Sequence, residues 1–277
     1  MTSKTALVTG ASSGIGEATA RKLQSLGFTV YGAARRLDRL ESLSADGIRP
    51  LEMDVTDDAS MQAGMNQIIS ETGRIDVLVN GAGYGSYGAL EDVAIDEGRR
   101  QLETNVFGAA RLIQLALPHM RARKSGTIVN ITSMGGKIYT PLGGWYHASK
   151  FALEALSDCL RLETKPFGIH VVVIEPGGIA TAWGDIAAHR LEQTSGHGPY
   201  ADQAAAVAKS LGAEAGRNRN SPPSVVADAV GKAVTAAKPK TRYAPGYGAK
   251  PLIAARRILG DRQFDALISR ATGLPRG

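Results

Sequence analysis

The sequence predicts an α/β fold: a doubly wound parallel sheet in a single domain, 1–277, with a C-terminal helical extension. Two observations carry this reading. Short, almost continuously apolar runs alternate with longer stretches of helical spacing along most of the chain. Strands buried on both faces read this way because crossover helices cover a parallel sheet above and below. Short polar or glycine-rich motifs follow several of the apolar runs, which gathers them along one rim of the sheet.

In order, Lys4 to Thr9 reads as a buried strand, followed by the turn Gly10-Ala11-Ser12-Ser13-Gly14-Ile15-Gly16 and a helix from Glu17 to Leu26. Strands are expected at Thr29 to Ala33, Ile48 to Asp54, Ile75 to Asn80, Thr127 to Ser133 and His170 to Glu175. Helices are expected at Asp58 to Thr72, Ile95 to Arg121 (long, with a bend) and Tyr146 to Pro166. From Trp183 to Pro223 the alternation breaks around an alanine-rich helical piece, Ala201 to Leu211. A long insertion after a rim strand suggests a lid over residues 183–223. In the extension, 251–277, the spacing of Leu252, Ile253, Ile258, Leu259, Phe264, Leu267 and Ile268 suits one or two amphipathic helices.

Composition excludes several classes. The 277 residues carry one cysteine, Cys159, so no internal disulfide framework exists and a reducing, cytoplasmic compartment is expected. Cys159 falls in a helical pattern and reads as an inert core residue. No charged and apolar leader and no apolar run of about 20 residues is present. No metal site is expected. The net charge of +6 is uneven: Arg217 to Gly277 holds 12 Lys or Arg against 3 Asp or Glu. That basic segment reads as solvated surface. Contact with a membrane surface or an acidic carrier protein is the lesser alternative, and no nucleic-acid motif accompanies the charge.

Two motifs carry chemistry. Glycines in a turn between strand and helix let a backbone approach a pyrophosphate, whose charge the helix N-terminus favours. Here Gly10, Ser12, Ser13, Gly14, Ile15 and Gly16 form that Rossmann-type turn, spaced Gly-x-x-x-Gly-x-Gly. Tyr146 and Lys150 are four apart and share a helix face, with Ser133 thirteen residues before the tyrosine. A neighbouring ammonium favours a phenolate and draws its pKa down from about 10, toward acid–base use. Cofactor choice follows from Ala33-Ala34-Arg35-Arg36. No acid stands before Asp38 to bind a ribose 2′-hydroxyl, and Arg35 and Arg36 offer planar donors for a 2′-phosphate. NADP is therefore expected, with NAD less favoured.

The chain resembles the short-chain dehydrogenase/reductase family, in its Tyr-x-x-x-Lys branch. The matching pieces are Thr9-Gly10-x-x-x-Gly14-x-Gly16, Asp54-Val55, Asn80-Gly81-Ala82-Gly83, Asn105-Val106, Ser133, Tyr146-x-x-x-Lys150 and Pro176-Gly177-x-Ile179-x-Thr181. Gly81 departs from the pattern, where the family usually has a second asparagine. The resemblance implies that Tyr146 is the general acid in reduction and the base in oxidation, and that Ser133 orients the substrate oxygen. It implies that Lys150 tunes Tyr146 and holds the nicotinamide ribose, and that Asn105 holds a water linking Lys150 to solvent. Asp54 and Val55 would contact the adenine, Asn80, Gly81 and Ala82 would line the cofactor cleft, and Pro176, Gly177, Ile179 and Thr181 would meet the nicotinamide.

The implied activity is NADP(H)-dependent interconversion of a carbonyl and an alcohol. Gly83 to Gly85, Met134 to Leu142, Trp145 and Trp183 suit an apolar pocket, and the overall pattern is similar to the 17β-hydroxysteroid and retinol dehydrogenase side of the family. A small hydrophobic ketone, aldehyde or alcohol is the expected substrate. A 3-oxoacyl thioester reductase and a non-catalytic NADP-binding sensor remain alternatives. The resemblance also implies a homodimer or homotetramer, paired through the helices at Ile95 to Arg121 and Tyr146 to Pro166.

Overall fold

A computed structural model describes residues 3–212 and 219–274. Part of the expected lid, 213–218, and the end of the extension, 275–277, lie outside the described residues. Seven parallel strands form one sheet in the order β3-β2-β1-β4-β5-β6-β7. They are β1 Thr5–Thr9, β2 Thr29–Ala34, β3 Arg49–Glu52, β4 Val77–Asn80, β5 Gly126–Ile131, β6 Ile169–Ile174 and β7 Arg242–Tyr243. The chain turns from one half of the sheet to the other between β1 and β4, so a crevice opens past their carboxyl ends.

Side chains alternate across each strand. Ala6 and Val8 point into one core with Leu23, Val226 and Val230, while Leu7 points into the other with Ile68, Leu112 and Met120. The first core is covered by α1 (Gly14–Ser25) and a helix at Ser224–Thr235, the second by α2 (Asp58–Thr72) and the long helices that follow. Asp57 caps α2 by accepting from Ala59 N at 2.9 Å, and left-handed Gly73 ends it.

The long helix is α3 (Ile95–Leu102) and α4 (Gly108–Ala122), joined without a break by a π-helical segment, Glu103–Phe107. The expected bend is this widened turn. The next helix, α5, runs Gly144–Thr164. Its buried stripe holds Tyr146, Lys150, Leu153 and Ser157, and Cys159 falls off that stripe and is exposed, not a core residue.

The stretch after β6 holds a second helix besides the expected one. α6 spans Trp183–Ser195 and packs on α7, Ala201–Leu211, while Ser224–Thr235 is α8. The extension forms two helices, α9 (Ala249–Ile258) and α10 (Asp261–Thr272). Among the described residues no helix is long and apolar enough to cross a membrane, and no group of side chains is placed to hold a metal.

Asp76, just before β4, ties the crevice strands together. Its carboxylate accepts from Thr5 N at 2.8 Å and pairs with Arg74 and Arg123 at 2.6 and 2.8 Å. Burial raises its pKa, but the hydrogen bonds from Arg74 and Thr5 and the charge of Arg123 outweigh that and hold it below the usual carboxylate range. A depressed folded-state pKa adds stability above the unfolded value, which is lost as pH falls through the folded one. Thermal melts should therefore show less loss between about pH 5 and 3 for Asp76→Asn than for the wild type, from a lower starting point.

Candidate active site

A cleft of about 2220 Å³ runs along the carboxyl rim. One end is built on the glycine turn. Gly10 and Gly14 have φ of 70° and 58°, in the left-handed region. A Cβ on Gly16 would stand 2.1 Å from the Gly10 carbonyl oxygen, so α1 starts against the turn only because no side chain intervenes. Ser13 at the N-cap spends no side-chain hydrogen bond on the helix, which leaves the first N–H groups facing the cleft with Ser12, Gly14, Ile15 and Gly16. Thr9 Oγ1 accepts from both Gly81 N and Ala82 N at 3.1 Å, locking the β1 and β4 loops side by side. Gly16→Ala should weaken dinucleotide binding by about tenfold, measured by fluorescence titration, since the clash is with backbone and the phosphate-binding turn must move.

Arg35 and Arg36 follow the last residue of β2, are exposed, and line the same end. Asp54 and Val55 line it just past β3, with Asp54 Oδ1 accepting from Thr56 N at 2.9 Å. Gly81, Ala82, Pro176, Gly177, Ile179 and Thr181 line the middle, and Thr181 packs on Gly14. A β-bridge from Ile179 to Ser221 ties the rim to the chain before α8.

Two predicted residues spend their side chains on framework contacts. Asn80 does not line the cleft. Its buried amide donates to Asn130 Oδ1 at 2.8 Å, and Asn130 donates to Ser157 at 2.8 Å, so it joins β4 to β5 and α5. Asn105, in the π-helical segment, accepts from Tyr84 N at 3.1 Å and donates to Tyr84 O and Ser149 Oγ, both at 3.0 Å. Its side chain thus braces the loop after β4 against α5. Trp145 also lies off the cleft, against Gly98 of α3.

Ser133, Tyr146 and Lys150 meet at the centre. Burial pushes the Tyr146 phenol up to about 12, and the Ser133 hydroxyl, hydrogen-bonded to it, pulls the other way. This reverses the shift expected from the sequence. Lys150 is not what sets the phenol: its ammonium donates to the Ile131 carbonyl at 3.0 Å. Burial brings Lys150 down to about 8, against the opposing charge of Glu154 one turn on. Desolvation outweighs pairing for both groups, so each is biased toward its neutral form.

The sequence reading missed the frame around them. His147 is buried, donates from Nδ1 to Gly135 O at 2.9 Å and accepts at Nε2 from Thr140 N at 3.0 Å, in the tautomer those backbone partners select. It bolts the loop after β5 to α5. Glu154 accepts from Thr132 at 2.7 Å and from Lys137 and Arg242 at 2.9 Å, which fixes the residue before Ser133. Tyr87, Tyr146 and Trp183 form an aromatic cluster, with ring centroids 5.1 to 6.0 Å apart.

Comparison with known proteins gives one answer. The short chain dehydrogenase family model matches residues 4–190. The 3-ketodihydrosphingosine reductase of Bacteroides thetaiotaomicron is 44% identical over 179 residues, and the match covers 65% of each chain, so about two thirds of that relative's length is spanned. The NADPH-dependent 3-dehydrocapnine reductase of Ornithobacterium rhinotracheale is 34% identical over 95% of each chain. A crystal structure of a short-chain dehydrogenase from Streptomyces avermitilis superposes with a TM-score of 0.82 at 32% identity over 100% of both chains. With its glycine turn, its parallel sheet and the Ser133, Tyr146 and Lys150 cluster in the crevice, the chain belongs to the short-chain dehydrogenase family of oxidoreductases.

Proposed function

We propose that this protein is an NADP(H)-dependent oxidoreductase that interconverts a carbonyl and an alcohol on a hydrophobic substrate. The observation that carries this is a buried phenol, Tyr146, touching the Ser133 hydroxyl in the same cleft as a glycine cradle and two arginines. That cradle fits a dinucleotide: a Cβ at Gly10 or Gly16 would collide with backbone, and the N-terminus of α1 is open to the cleft. Gly10 to Gly16 would hold the pyrophosphate, Arg35 and Arg36 the 2′-phosphate, Asp54 and Val55 the adenine, and Pro176 to Thr181 the nicotinamide. The cofactor when bound supplies the hydride. The NADPH dependence and reductase activity of the Ornithobacterium relative support NADPH and the reductive direction.

The chain's own groups handle the proton. A carbonyl oxygen accepts hydrogen bonds from Ser133 and Tyr146, and the phenol gives up its proton as the oxygen becomes a hydroxyl. A phenol raised by burial is fully loaded as an acid at neutral pH. Lys150, still cationic below about 8, offsets the phenolate left behind. Asn105 keeps the Tyr84 loop in register with α5 through Ser149. Helices α6 and α7 cover the substrate end, and Tyr87, Val207 and Leu211 give it an apolar wall.

A panel of ketones, aldehydes, alcohols and acetoacetyl thioesters, followed by NADPH absorbance, tests this. Turnover confined to the thioesters would favour the acyl-thioester reductase. NADPH binding with no turnover anywhere would favour the sensor. A cytoplasmic compartment fits the single cysteine. Phe107 and Phe151, 56% and 43% exposed on the long helices, favour pairing of two copies there. Light scattering at micromolar concentration should give a dimer or tetramer, and a monomer would overturn this.

A further inference from the structure

Resting on that reading, we propose that Trp183 is a fixed wall that limits the size of one of the two substituents on the reacting carbon. The indole stands beside the proton donor, its ring centroid 5.1 Å from that of Tyr146 and 6.0 Å from that of Tyr87. On its far side it presses on the loop after β4. A Cβ added to Gly85 would come within 2.4 Å of Trp183 Cζ2. The glycine is what makes room for the ring, and the ring fills the space between that backbone and the phenol.

The cleft is therefore unequal about Tyr146. One side closes on the rings of Tyr87 and Trp183. The other continues past Met134, Ile138, Leu252 and Ile268, a separate apolar cluster, where a long apolar group fits. A carbonyl carbon held at the phenol must send one substituent each way. On the closed side the Tyr87 hydroxyl is hydrogen-bonded to Thr140.

The wall is held by its own helix. Trp183 opens α6, and the other end of α6 is pinned. Ser195 donates to Asp92 Oδ2 at 2.6 Å and accepts from Ala89 N at 2.9 Å, and Leu191 is fully buried. Midway, the Arg190 guanidinium lies 5.0 Å over the Tyr84 ring and 3.9 Å from Glu97. These contacts run from the rim loop to the helix, so the indole keeps one position relative to the phenol.

The test is a pair of ketones with the same long alkyl group on one side and either methyl or phenyl on the other. The quantity read is the ratio of kcat/KM, phenyl over methyl. Steric discrimination of this kind is worth about 10- to 200-fold. Trp183→Ala should raise the ratio at least about tenfold, and Trp183→Phe should fall between. Adding Gly85→Val to Trp183→Ala should bring the ratio back toward the wild type, because the new side chain enters the vacated space from the opposite wall. Inhibition constants of the matching unreactive amides should move in the same order.

If Trp183→Ala does not fold, as judged by circular dichroism, Trp183→Phe and the amide constants carry the test. A ratio within about threefold of wild type in the folded variants, or a Gly85→Val addition that restores nothing, would overturn the proposal. A wild type that reduces both ketones equally well also defeats the wall. A wild type that reduces neither, while reducing nothing else in the panel, defeats the carbonyl reading instead.

Discussion

Tyr146→Phe should lower turnover by about 10²- to 10⁴-fold while NADPH binds as before. The change deletes one oxygen from a ring whose stacking with Tyr87 and Trp183 stays available, so the fold and the cofactor end are spared. What is lost is the proton donor in reduction and its acceptor in oxidation. The pH dependence should differ between directions. The phenol, raised to about 12 by burial, is protonated throughout the neutral range. Reduction, which uses the acid, should stay level up to about pH 8 and decline as the Lys150 ammonium is lost there. Oxidation, which needs the phenolate, should climb as pH rises. Initial rates in both directions from pH 6 to 10 would show this, and a variant keeping more than about a tenth of the wild-type rate would remove Tyr146 from the chemistry.

Arg35→Ala should weaken NADPH binding by about ten- to a hundredfold and hardly change NADH binding. Arg35 is the first residue past β2, exposed and lining the cofactor end, immediately after the position where an acid would read a ribose hydroxyl. The next acid, Asp38, is exposed and lies 3.8 Å from Arg39. A charge-assisted contact to phosphate is worth about 1.5–3 kcal/mol, which sets the range. Arg36→Ala should have the smaller effect. Ala34→Asp should turn preference toward NADH, by supplying an acceptor for the hydroxyl and repelling the phosphate. Titrating both cofactors against each variant decides the matter: equal losses for NADPH and NADH with Arg35→Ala would mean that Arg35 holds the loop.

The sheet was legible because buried parallel strands are written as apolar runs, and α2 was legible to the residue because Asp57 and Gly73 mark its ends. α6 was not. Its buried face is Ala187, Leu191 and Ser195, too small and too polar to show as a periodic stripe against Gly184, His189 and Thr194. α8 was not legible either, because seven of the twelve residues of Ser224–Thr235 are alanine or valine, which blurs the buried face. β7 is two residues long and is fixed by pairing with β6 and by the Arg242 ion pairs, neither of which is local. In the site, spacing named the residues but not their orientation. Asn80 and Asn105 each sit at the expected position, yet the side-chain partners are Asn130, Tyr84 and Ser149, which come from distant parts of the chain.

The π-helical segment has a consequence for exchanging parts between relatives. A π turn accommodates one residue more than an α turn, and each α-helical residue advances the face by about 100°. Removing that residue between Glu103 and Phe107 would leave the helix continuous but rotate everything after it by that angle relative to everything before. Gln101, which donates to Tyr84 O at 2.7 Å, and Leu112, in the second core, could then no longer both face inward. The segment is thus a phase setter, and a hybrid helix that joins α3 of this chain to α4 of a relative must inherit Glu103–Phe107 whole or lose either the loop brace or the core.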